Sequence, residues 1–171
     1  MKKKIMMVIA SKGFHQDEFN EPYRIFNESG FDVQVVSDKP GNAIAKDGSH
    51  FRVSSTLDDA NITGYDALVF IGGPGALECL DNDASYALVQ AAMKEGCTIA
   101  AICISPRIIA KAGGLVGVQA TGWDDDNELQ EMYDRHGAYY LKESVVSDGN
   151  RVTAQGPKDA VAFAEAIKAL L

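Results

Sequence analysis

The stretch Thr98-Ile99-Ala100-Ala101-Ile102-Cys103-Ile104-Ser105-Pro106-Arg107-Ile108-Ile109-Ala110 changes its period in mid-run. Its first five residues make a short, continuous apolar segment, the pattern of a strand buried on both faces. From Cys103 onward the spacing turns helical, and Pro106 stands at an early helical position, where proline is tolerated. Cys103 is therefore expected on a strand-to-helix turn. Such a turn is sharp, holds its central residue in a strained conformation, and needs small neighbours two positions away on either side. Ala101 and Ser105 meet that need.

The same apolar pattern recurs at Lys4 to Ala10, Val33 to Ser37 and Ala67 to Ile71. Helical segments fall between these runs, roughly Glu18 to Ser29 closed by Gly30 and Ser85 to Glu95 closed by Gly96, each glycine standing where a left-handed cap is wanted. Strand and helix in alternation imply an α/β fold, a flavodoxin-like three-layer sandwich with a mainly parallel sheet covered by helices on both faces. Ala43 to Leu57, around Asp47-Gly48, and Val145 to Ala154, around Asp148-Gly149, read as β-hairpins added to that parallel core. The last helix is expected over Pro157 to Leu171, with Val161, Ala164, Ile167 and Leu171 on one face.

A chain of 171 residues suits one domain spanning 1–171. With 24 acidic against 16 basic side chains the net charge is −8, and no basic stripe interleaves with aromatics, so nucleic acid is not an expected partner. The apolar run after Met1-Lys2-Lys3-Lys4 is too short for a signal core and reads as a first strand, and no stretch is long enough to span a membrane. Cys79, Cys97 and Cys103 are odd in number and spaced neither as a metal site nor as a disulfide framework, which suits a reducing cytoplasm. No metal or other cofactor is expected.

A thiol at a helix start feels the positive end of the peptide dipoles, which favours thiolate and makes sulfur nucleophilic and oxidisable. The Ile104 N–H could hold an oxyanion there. A second donor, from Gly73, is expected in Gly72-Gly73-Pro74-Gly75, which follows the Ala67 to Ile71 strand and lets backbone approach a ligand closely. Both loops are expected at the carboxyl edge of the sheet.

Three segments together resemble the ThiJ/PfpI superfamily, of the class I glutamine-amidotransferase-like fold: Phe14-His15-Gln16-Asp17-Glu18-Phe19-Asn20-Glu21-Pro22, then Gly72-Gly73, then Ala100 to Pro106. Val146 to Asn150 and Gln155-Gly156-Pro157 are similar to that family's closing hairpin and helix. The resemblance implies that Glu18 is the acid reaching the nucleophilic cysteine, where it stays protonated and donates a hydrogen bond to sulfur or shuttles a proton. The chain departs from the peptidase-like members, which carry histidine and then glycine after the cysteine, because Ile104 and Ser105 stand there. Loss of that imidazole argues against proteolysis. His15, His50 and His136 read as solvated, with His136 the candidate to approach the site. Gly72, Ser105 and Trp123 are further pocket candidates.

The resemblance implies a stress-related cysteine enzyme acting on small reactive aldehydes or on modified proteins, of the glutathione-independent glyoxalase or deglycase type. Two alternatives stand beside it: a redox sensor or chaperone working through oxidation of Cys103, and an intracellular cysteine peptidase or amidohydrolase. It also implies a homodimer or larger homo-oligomer.

Overall fold

The computed structural model describes residues 2–171. Along the chain come β1 (Lys4–Val8), β2 (Lys12–Phe14), α1 (Gln16–Glu28), β3 (Asp32–Ser37), β4 (Gly41–Ala45), β5 (His50–Val53) and β6 (Ser55–Thr56). There follow β7 (Ala67–Phe70), α2 (Ala76–Leu80), α3 (Asp83–Glu95), β8 (Thr98–Ile102) and α4 (Pro106–Lys111). The remainder holds β9 (Gln119–Ala120), α5 (Leu129–Arg135), β10 (Tyr139–Tyr140), β11 (Val145–Asp148) and β12 (Arg151–Ala154). A single 3-10 turn at Pro157–Asp159 then leads into α6 (Ala160–Leu170).

The four apolar runs form the centre of a seven-stranded sheet in the order β11-β12-β8-β7-β1-β3-β6. Every neighbouring pair is parallel except β11 with β12. Parallel strands need crossovers, and these place helices over the sheet. α1 packs on α6 and α3 on α4, each pair against the strands. Ile5 to Val8, Ala67 to Phe70 and Thr98 to Ile102 are consequently buried throughout, which is why they read as unbroken apolar runs and not as alternating ones. Gly96, at φ +74, closes α3 in the left-handed conformation.

Two expectations need correction. The hairpin around Asp47-Gly48 forms, with β4 antiparallel to β5, but it does not extend the parallel sheet; it pairs with β2 in a separate three-stranded sheet. In β4 only Ala43 and Ala45 are buried while Asn42 and Ile44 face outward, and a strand apolar on one side alone suits a flap better than the interior of a two-faced sheet. The hairpin around Asp148-Gly149 does join the main sheet, through β12 alongside β8. In the last helix the inward face is Ala160, Phe163, Ala164 and Ile167, whereas Val161 is 48% exposed. The 3-10 turn at Pro157–Asp159 delays the α-helix and shifts its phase.

Because β1, β7 and β8 run parallel, their carboxyl ends share one edge. The segment entering α1, the glycine loop after β7 and the Cys103 turn after β8 meet there.

Candidate active site

Cys103 follows the last residue of β8 and has φ +63; Asn127 is the other non-glycine residue with positive φ among those described. A left-handed conformation at a non-glycine residue costs on the order of 1–3 kcal/mol and persists only where its surroundings enforce it. Three hydrogen bonds do so here. The Cys103 N–H donates to the Ala154 carbonyl at 2.9 Å, its carbonyl accepts from the Trp123 N–H at 2.8 Å, and the Ser105 N–H donates to the Ile102 carbonyl at 3.2 Å. Ser105 is fully buried, and its hydroxyl donates to the Ile71 carbonyl at 2.7 Å. It thus ties the turn to the end of β7 and sits beneath the site instead of lining the cleft, since a hydroxyl one bond from Cβ reaches that carbonyl only by pointing inward.

The glycine loop and α1 close in on the sulfur. A Cβ added at Gly72 would lie 2.6 Å from the Cys103 Cβ, 2.6 Å from Glu18 Oε2 and 2.7 Å from the Ile102 carbonyl oxygen. Gly72 is therefore a spacer between nucleophile and carboxyl group, and its N–H donates to Glu18 Oε2 at 2.9 Å. Gly73 has φ +119, and a side chain there would strike the Gly13 carbonyl oxygen and the His15 nitrogen, both at 2.5 Å. The N–H groups of Gly73 and Ile104 face the sulfur and favour its ionised form.

Glu18 is fully buried, and its Oε1 has no hydrogen-bond partner among the described residues. Burial pushes its carboxyl up from 4.5 to about 7, against the opposing pull of Cys103 and the Gly72 N–H. Burial first, then the charge of Glu18, pushes the Cys103 thiol up to about 12. This overturns the expectation that the helix start would lower it. Cys103 precedes the first residue of α4 by three positions, that helix has only six residues, and desolvation outweighs the two facing N–H groups. Two acids that repel each other's charge in one dry site titrate as a pair, which takes on its first negative charge as the pH rises through about 7.

Cys103 opens onto a cleft of about 500 Å³ lined by His15, Glu18, Lys46, Gly73, Pro74, Leu77, Ile104, Trp123 and Pro157. The Trp123 loop is held from below by Arg107, which is 8% exposed. Its Nη2 donates to the Trp123 carbonyl at 3.3 Å and pairs with Asp126 Oδ1 at 2.8 Å, while its guanidinium lies 5.5 Å from the centre of the indole ring. His136 caps the far end of α5, bonded through its N–H to the Tyr133 carbonyl, and does not line the cleft. Leu129 and Tyr133 anchor α5 by its buried face, which carries His136 away.

The imidazole in the cleft belongs to His15, which the sequence places among solvated residues. It is the N-cap of α1, and its Nδ1 accepts from the Asp17 N–H at 3.3 Å. Burial lowers its pKa, so the ring is neutral at neutral pH with its proton on Nε2. The legible signal was the spacing: a capping residue three positions before Glu18 sets both on the same first turn. Lys46, in the turn between β4 and β5, was also missed. No group of His, Cys, Asp or Glu arranged to hold a metal ion occurs among the described residues.

The family model described as DJ-1/PfpI family matches residues 3–170. An uncharacterized protein of Methanocaldococcus jannaschii is 37% identical over 169 residues, covering 98% of this chain and 82% of that one. Deglycase PfpI of Pyrococcus furiosus is 29% identical over 158 residues, covering 92% of this chain and 93% of that one. A crystal structure of a ThiJ/PfpI domain protein from Brachyspira murdochii superimposes with a TM-score of 0.91 at 27% identity, covering 99% of this chain and 97% of that one.

Proposed function

We propose that this chain, which belongs to the DJ-1/PfpI family, is a cysteine enzyme acting on small reactive carbonyl compounds or their adducts with proteins. One observation carries the reading. A backbone-strained cysteine faces two N–H groups and a buried carboxyl group with its midpoint near 7, at the floor of a cleft of about 500 Å³.

The steps follow from those groups. Glu18 accepts the thiol proton as the Cys103 sulfur attacks the aldehyde carbon of a 2-oxoaldehyde. A C–S bond forms, the carbonyl π electrons move to oxygen, and the oxyanion, received by the Gly73 and Ile104 N–H groups, takes up the proton to give a hemithioacetal. Glu18 then removes the proton from that carbon, and the electron pair forms an enediol as the ketone oxygen takes up a proton. Glu18 returns its proton to the neighbouring carbon while the hydroxyl on the sulfur-bearing carbon gives up its own. The adjacent ketone becomes an alcohol and the sulfur-bearing carbon a thioester. Water cleaves the thioester, giving a 2-hydroxy acid and the free thiol, so one water is consumed and no oxidant is needed. A carboxyl group with its midpoint near 7 is suited to both proton transfers at neutral pH.

The relative named a deglycase favours carbonyl adducts as substrates of the same site. Peptidase chemistry is less well supported. The His15 Nε2 already carries a proton, so this imidazole cannot take up the thiol proton unless its Nδ1 leaves the helix cap. Lactate formation from methylglyoxal without glutathione tests the proposal: it is expected in the wild type and absent in Cys103→Ala. Equal rates in the two proteins would overturn it.

A further inference from the structure

The charged lining of the cleft is sparse. Apart from Glu18, Lys46 is its one formally charged side chain, and it forms no ion pair among the described residues. Within the cleft the Lys46 charge acts on the Glu18 carboxyl, and Asp17 and Asp47 act on His15 from outside the lining. Asp47 turns back to accept from the Ser49 N–H and hydroxyl at 2.9 and 2.6 Å, and neither Asp47 nor the exposed Asp17 lines the cleft. Glu18 lies at the floor, bonded to Gly72. The Lys46 N–H donates to the Phe14 carbonyl at 2.8 Å, which sets it beside His15, and with its Nδ1 engaged by the Asp17 N–H, His15 is fixed as an Nε2–H donor. The other walls are Pro74, Leu77, Ile104, Trp123 and Pro157, which offer a short carbon chain contact without polar competition.

We propose that Lys46 and His15 form an anion-recognising wall of the cleft that holds Cys103, so that the carbonyl substrate of this site bears a carboxylate group. The inference rests on the functional reading above and narrows its substrate class. A lone lysine and a neutral imidazole match a monoanion held at the cleft mouth, the carboxylate accepting from the ammonium and from Nε2–H while the carbonyl carbon reaches the sulfur. A neutral aldehyde of the same size leaves both donors to water.

The test separates this inference from the enzymatic reading by using alkylating agents in place of substrate. Iodoacetate and iodoacetamide differ by one charge at nearly equal size. In each reaction the sulfur forms a C–S bond, the C–I bond breaks, iodide leaves and the thiol proton passes to solvent. The ratio of the iodoacetate to the iodoacetamide rate at Cys103, read by peptide mass spectrometry, is compared with the same ratio for glutathione. It is expected to exceed the glutathione value by about five-fold, the scale of one partly exposed charge contact. It should fall toward that value in Lys46→Met, fall in part in His15→Leu, and be kept in Lys46→Arg. A ratio equal to that of glutathione, or one unmoved by Lys46→Met, overturns the proposal. A raised ratio that depends on Lys46, in a protein that converts neither methylglyoxal nor a carboxylate-bearing 2-oxoaldehyde to its 2-hydroxy acid, sinks the aldehyde chemistry and leaves the anion wall standing.

Discussion

Replacing Glu18 by glutamine removes the ionisable group beside Cys103 while keeping an oxygen that can accept from the Gly72 N–H. In the folded protein the Glu18 carboxyl keeps its proton up to about 7, whereas in the unfolded chain it loses it at the ordinary 4.5. Between those values the native state binds more protons than the unfolded state, so stability falls as pH rises through the window and stays low above it. At about 1.4 kcal/mol per pH unit the penalty reaches about 3 kcal/mol. Because Glu18 is fully buried, solvent screening does little to reduce it. Glu18→Gln carries no such penalty. Urea denaturation followed by circular dichroism should find the variant more stable than the wild type by about 3 kcal/mol at about pH 8, the gap shrinking toward about pH 5. In melting temperature the gap is about 6–12 °C for a chain of this size. Parallel curves for the two proteins across the window would mean instead that Glu18 ionises as freely in the folded protein as in the unfolded chain.

Gly72→Ala places a methyl group 2.6 Å from both the Cys103 Cβ and Glu18 Oε2, and the nearby Ile102 carbonyl is backbone that cannot swing aside. The variant should be destabilised by about 1–3 kcal/mol and lose turnover, checked by thermal melts and the lactate assay; wild-type values for both would contradict the packing described. Arg107→Met strips the guanidinium from beneath the indole and breaks the pair with Asp126. Tryptophan fluorescence, reporting on the single tryptophan, should then shift and become more accessible to acrylamide quenching, with KM rising more than kcat falls.

What the sequence made legible was local. A residue run that changes period at Cys103, small flanks at Ala101 and Ser105, and a glycine pair after an apolar strand each report on a few consecutive residues. The strands, the turn and the meeting of the two loops at one sheet edge follow from them. The residues missed belong to segments folded over that edge from elsewhere. Lys46 arrives on a hairpin whose separate sheet with β2 depends on a three-residue strand too short to stand out in the sequence. His15 looked solvated because it is flanked by polar residues, and only the cap of α1 turns it inward. The thiol was expected to be acidic because a helix start is visible in the sequence, whereas the burial that outweighs it exists only once α1 and the glycine loop close over the sulfur. In α6, one 3-10 turn was enough to exchange Val161 for Phe163 at the core.

Cys103 and Glu18 act as one acid pair. The rate at which iodoacetamide modifies Cys103, followed against pH in the wild type and in Glu18→Gln, reads that pairing directly. The wild-type profile should show an inflection near 7 that disappears in the variant; superimposable profiles would mean that the two groups titrate independently.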